Sequence, residues 1–83
     1  MDTSVDVTAT ARASLLRMGT TWRRLGKLNQ AVETYLRIIQ EHPGTEEAEA
    51  AKAALLDITS GFESTGRYHL AIDILDRLTK AVA

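Results

Sequence analysis

The 83-residue chain contains no cysteine, which excludes disulfides, thiolate nucleophiles and zinc–thiolate sites and leaves packing as the only source of stability. It has one proline, one tryptophan, two tyrosines and one phenylalanine, too few turn-formers and aromatics for a strand-rich fold. No apolar run approaches the ~20 residues of a membrane span. No cationic start with an apolar stretch behind it marks a secretory signal, because the first ten residues, MDTSVDVTAT, carry two acids and no base. A cytoplasmic protein with a flexible tail over residues 1–7 is the expectation. An excess of one charge is also lacking. Ten basic and eleven acidic residues give a formal charge of -1, so no global field drives the chain onto nucleic acid or an anionic membrane.

What is present is 45% hydrophobic residues, recurring at spacings of three and four in four successive blocks. That is the period of a helix buried on one face. The first helix is expected from about Thr8 to Leu25, with Leu15, Met18, Trp22 and Leu25 on its stripe and Gly26 as its stop. A glycine there can take the left-handed conformation that closes a helix without a Cβ clash. The second, from about Lys27 to Glu41, turns Leu28, Ala31, Val32, Tyr35, Ile38 and Ile39 inward and ends at Pro43-Gly44. Thr45 is placed to cap the third, with Glu46, Glu47 and Glu49 at its positive end. This helix extends to about Thr65 with Leu55, Ile58 and Phe62 inward, and Gly66 closes it. The fourth, about Arg67 to Val82, turns Tyr68, Ala71, Ile72, Leu75 and Leu78 inward.

The blocks repeat. Aligning Ala31 on Ala71 pairs Leu15 with Leu55, Met18 with Ile58, Trp22 with Phe62, Gly26 with Gly66, Leu28 with Tyr68, Tyr35 with Leu75 and Ile38 with Leu78, all 40 residues apart. Two amphipathic helices align some apolar residues by chance; they rarely align the closing glycine and the small alanine as well. The chain therefore reads as a duplicated helix-turn-helix unit, over residues 8–45 and 46–83.

The first unit, with Leu15, Met18-Gly19, Trp22, Ala31, Tyr35 and Pro43, resembles the tetratricopeptide repeat pattern. The second answers with Leu55, Ile58, Phe62, Ala71 and Leu75, but Thr59 replaces the small glycine and no proline closes it. The resemblance implies an all-α fold of two units and four antiparallel helices, a short right-handed α-solenoid. It also implies that Gly19 and Ala31 are small so that paired helices can approach, with Trp22 and Tyr35 filling the flanks. In this family the first helix of each pair lines a concave surface that holds peptides. On that face lie Leu16, Thr20 and Arg23 in the first unit and Leu56, Ser60 and Glu63 in the second. Family members that clamp a peptide's terminal carboxylate use lysine and asparagine at such positions; Leu16 and Thr20 stand there here, so that activity is not implied.

Constellations that look chemical fail on spacing. Gly19 and Gly26 are separated by six residues where a phosphate loop has four, and Leu28 follows Lys27 where a hydroxyl must meet magnesium. His42 and His69 read as a helix-end charge and an inert ring, and no nucleophile is spaced against a base. No catalytic, cofactor or metal site and no small-molecule substrate are expected. Residues 7–32 carry Arg12, Arg17, Arg23, Arg24 and Lys27 without an acid, whereas Glu41 to Ala51 carry four acids without a base. A solvated face, an acidic partner peptide, head-to-tail contact between copies and nucleic-acid binding by the arginine-rich first helix all fit this asymmetry. A repeat cannot bury its apolar face alone, and no capping helix follows the second unit. Ile72, Ile74, Leu78 and Val82 are therefore expected on an uncovered flank, to be sheltered by self-association as an isologous dimer or a higher assembly. Function then reads as a non-catalytic scaffold or adaptor for another protein.

Overall fold

A computed structural model describes residues 3–83, with side chains from residue 7 onward. Four helices follow in order: α1 (Thr3–Arg24), α2 (Leu28–Glu41), α3 (Glu46–Ser64) and α4 (Tyr68–Val82). They form two helical hairpins stacked as a repeat solenoid. Helix α1 begins five residues before the expected Thr8, so residues 3–7 are helical where a flexible tail was expected. Residues 1 and 2 of that expected tail lie outside the described residues. The run Thr8–Ala13 contains three alanines, strong helix formers, and no glycine or proline interrupts the helix upstream of it.

The hairpin turns are the same object twice. After α1, the Gly26 amide donates to the Arg23 carbonyl and the Lys27 amide to the Trp22 carbonyl, with Gly26 at φ 76°. After α3, Gly66 donates to Glu63 and Arg67 to Phe62, with Gly66 at φ 78°. This pattern satisfies the last carbonyls of each helix and requires a residue without a Cβ at its centre. It also hands the chain directly to the next helix, so α2 and α4 start without a side-chain cap. Between the units a different device operates. Thr45 accepts from the Ala48 amide at 3.2 Å and donates to the His42 carbonyl at 2.7 Å, tying the end of α2 to the start of α3.

Helices α2 and α3 each pack against the other three, whereas among the described residues α1 and α4 do not pack on each other. The core is accordingly centred on the two middle helices: Ala31, Val32, Tyr35, Leu36, Ile38 and Ile39 of α2 with Ala48, Ala51, Leu55 and Ile58 of α3, joined by Ile74 of α4. Leu15, Trp22, Phe62 and Leu78 pack on it from the edges. The expected stripes hold for α2 and α3 and fail in part for the outer helices. Met18 is 49% exposed and Leu25 63% exposed; in α4 it is Ala71 and Ile74 that are buried, while Tyr68, Ile72 and Leu75 are bare. Helix α4 has two apolar stripes, and the one containing the small Ala71 and Ala81 allows the closer approach to α3. Ile74, expected on the uncovered flank, is 4% exposed within the core, and Leu78 packs against it.

Gly19 is buried against the ring of Tyr35, whose hydroxyl lies 3.2 Å from that of Thr20. A Cβ built on Gly19 would stand 2.7 Å from Tyr35 Cε1. The glycine is thus matched to one bulky ring rather than to a bare helix crossing. In the second unit the smaller Leu75 occupies the position of Tyr35, and Thr59 is accommodated at the glycine position, buried with its hydroxyl donating to the Leu55 carbonyl. No buried side-chain polar atom among the described residues lacks a partner.

Among the described residues, three ion pairs join the units. Arg12 meets Glu47 at 3.1 Å and Arg23 meets Asp57, both from α1 to α3, and Arg77 of α4 meets Glu33 of α2. The Glu47 carboxyl is held below its ordinary range, first by its own backbone amide in the opening turn of α3 and then by the Arg12 guanidinium.

Two predictions follow from this packing. Gly19→Ala forces the buried Tyr35 ring to shift and costs about 1–3 kcal/mol, whereas Gly61→Ala, where an added Cβ meets nothing within 4 Å, stabilises α3 by up to about 1 kcal/mol; urea denaturation of both variants gives the two opposite signs. Because the folded-state pKa of Glu47 is depressed, its contribution is fully present above the ordinary glutamate value of about 4.3 and is lost as pH falls through the lower folded value. The melting temperature of the wild type therefore drops more steeply on the acid side than that of Glu47→Gln, and parallel acid limbs would contradict the pairing.

Candidate interaction surface

Helices α1 and α3 lie side by side, tied at two points by Arg12–Glu47 and Arg23–Asp57. The six residues expected to line this face divide into two groups. In the first unit the side chains are partly committed to the fold. Leu16 is half-buried against the core, the Thr20 hydroxyl is engaged with Tyr35, and the Arg23 guanidinium is engaged with Asp57. In the second unit they are open: Leu56 is 50% exposed, and Ser60 and Glu63 are exposed one and two turns further on. The open part of the face is thus an apolar side chain followed by acid, with Asp57 beside Leu56.

Asp57 is the residue of this face that the sequence reading missed. Its signal is a pairing over 34 residues, which helical periodicity within one helix cannot reveal. The same pairing explains the basic run of α1. Arg12 and Arg23 meet acids of α3, so two of its five cations are spent inside the fold rather than arrayed for a polyanion. Arg17, Arg24 and Lys27 remain on the surface.

A second surface lies on the flanks of the stack. Helix α1 bears an open groove of about 460 Å³ lined by Arg17, Met18, Thr21, Trp22 and Leu25, together with Ser14. Helix α4 presents Tyr68, Ile72, Leu75 and Val82, with exposures of 62, 65, 39 and 53%. Of the four residues expected to mediate self-association, Ile72 and Val82 lie on this bare stripe, Leu78 is half-buried, and Ile74 is removed from it by burial. Isolated exposed apolar residues need no explanation; a stripe that follows one helix face along its whole length does.

His42 and His69 lie apart at a helix end and in the first turn of α4. Among the described residues no group of three or more histidine, aspartate and glutamate side chains could hold a metal ion, and no helix is long and apolar enough to cross a membrane.

A family model for the tetratricopeptide repeat matches residues 13–45. Neither the curated proteins nor the solved structures contain a significant match to the chain. The matched segment runs from the second half of α1 through α2 to the Thr45 cap, and it holds Gly19, Trp22, Ala31, Tyr35 and Pro43. Repeats of this kind are typically non-catalytic and mediate contacts between proteins. The match covers most of the first hairpin, and the second hairpin repeats the arrangement of closing glycine and small alanine 40 residues later.

Proposed function

We propose that the chain is a non-catalytic scaffold or adaptor that holds a partner peptide against the shared face of α1 and α3 and associates with itself through its bare flanks. The observation that carries this reading is the repeat, whose family mediates protein–protein contact, combined with the exposed Leu56 on a face otherwise fastened by ion pairs. Leu56, with Glu63 two turns on, suits an apolar anchor flanked by a basic residue. An acidic peptide would meet the Glu63 carboxylate. The self-association part rests on the stripe of Tyr68, Ile72, Leu75 and Val82 along α4. Nucleic-acid binding through α1 is the second reading, supported by the exposed Arg17, Arg24 and Lys27.

Selection from a displayed peptide library separates the two. The wild type should enrich peptides with an apolar anchor next to Lys or Arg, and Leu56→Asp should weaken the selected peptide at least about tenfold, or ~1.4 kcal/mol. Because Leu56 is half exposed, the variant should melt close to the wild type. Equal binding by the variant would remove the groove from the account. Binding to labelled single-stranded RNA that falls steeply with salt and on Arg24→Glu would instead favour the nucleic-acid reading.

A further inference from the structure

The α1 groove and the α4 stripe match the two halves of a junction that the chain already contains once. Position by position, the groove residues Arg17, Met18, Thr21, Trp22 and Leu25 of the first unit are the 40-residue equivalents of Asp57, Ile58, Gly61, Phe62 and Thr65 of the second. Those five residues, with Arg67, line a depression of their own, and its opposite wall is supplied by Arg23 and Leu28 of the preceding unit. The equivalents of those two wall residues, Glu63 and Tyr68, are exposed. Burial tells the same story at both ends. Ile58 is 5% exposed where a unit precedes it and its counterpart Met18 is 49% exposed; Val32 is 4% exposed where a unit follows it and its counterpart Ile72 is 65% exposed.

Charge selects the occupant. Across the internal junction Arg23 meets Asp57 and Arg77 meets Glu33. Shifted by one unit, the first pair becomes Glu63 against Arg17 and the second becomes Asp73 against Arg37, all four exposed. Both pairs keep opposite signs across the contact, the first with its polarity reversed. The third junction pair, Arg12–Glu47, has no such counterpart, because Lys52 would face Val7. A foreign surface would have to reproduce both the Tyr68–Ile72 stripe and this charge order; a second copy carries them already.

We infer that the copies of this chain associate head to tail, the α4 stripe of one seating in the α1 groove of the next with Glu63 against Arg17, as α2 seats on α3 within the chain. This specifies the self-association proposed above and rests on it. The contact uses different surfaces on the two copies, so it propagates into a longer stack rather than closing as a two-fold dimer.

The test blocks one end at a time, with mass read by sedimentation velocity and folding by circular dichroism. Wild type should grow in mass with concentration. Met18→Asp blocks the groove and Ile72→Asp blocks the stripe, both at exposed positions; each variant alone should be monomeric, and an equimolar mixture should give a species of two chains. If Met18→Asp alone or Ile72→Asp alone still dimerises, the copies meet through like faces; self-association stands and the head-to-tail register falls. A wild type that is monomeric at about 0.5 mM removes both. Arg17→Glu and Glu63→Arg provide a second arm that leaves the apolar residues in place. Either alone should weaken assembly at low salt, and mixing them should restore it; failure of the mixture to assemble better than either variant alone overturns the register.

Discussion

The seam between α2 and α3 is the contact on which everything else depends. Helix α2 is buried by α1 on one side, where Gly19 fits the Tyr35 ring, and by α3 and α4 on others, and its Ala31 and Ile38 are fully enclosed. Burying apolar surface contributes roughly 25 cal/mol per Å² removed from water, so a helix covered on several sides supplies far more than one covered on a single face. At 83 residues the chain has little stability to spare, and the duplication serves stability directly. One copy of the unit provides the wall against which the other is completed. Thr45 fixes the angle of that junction through paired bonds to His42 and Ala48, and the ion pairs from α1 to α3 and from α4 to α2 fasten its rims.

The same logic explains why identical repeat positions have different fates. Ile58 and Met18, or Val32 and Ile72, occupy matching places in the pattern, yet one of each pair is enclosed and the other is wet. The difference is the presence of a neighbour, not the residue. The two outer faces of the stack therefore keep the core-like composition that the repeat gives them.

Much of this was legible from residue order. The 40-residue offset, the left-handed glycines at 26 and 66 and the Thr45 cap follow from local chemistry and are found; the small residue at Gly19 was implied by the resemblance to the repeat, and the structure matches it to the Tyr35 ring. The phase of α4 was not. Residues 68, 72, 75 and 82 form one helical stripe and 71, 74, 78 and 81 another, and periodicity alone favours neither. Packing favours the stripe carrying Ala71 and Ala81, which places Ile74 inside and Ile72 outside. The function of the basic run in α1 was equally hidden. Arg12 and Arg23 find their acids 35 and 34 residues away, a relation that exists only once the hairpins are stacked. On the shared α1–α3 face this pairing leaves the second unit as the open half, so the residues expected there from the repeat contribute unequally.

The most direct measurement of a core shared between hairpins is native-state amide hydrogen exchange on the whole chain. Amides of α2 and α3, such as those of Val32, Ile38, Leu55 and Ile58, should open together with the free energy of global unfolding, while the start of α1 and the end of α4 exchange more readily. Two separate protection levels, one for α1 with α2 and another for α3 with α4, would mean that each hairpin stands alone and would contradict the account.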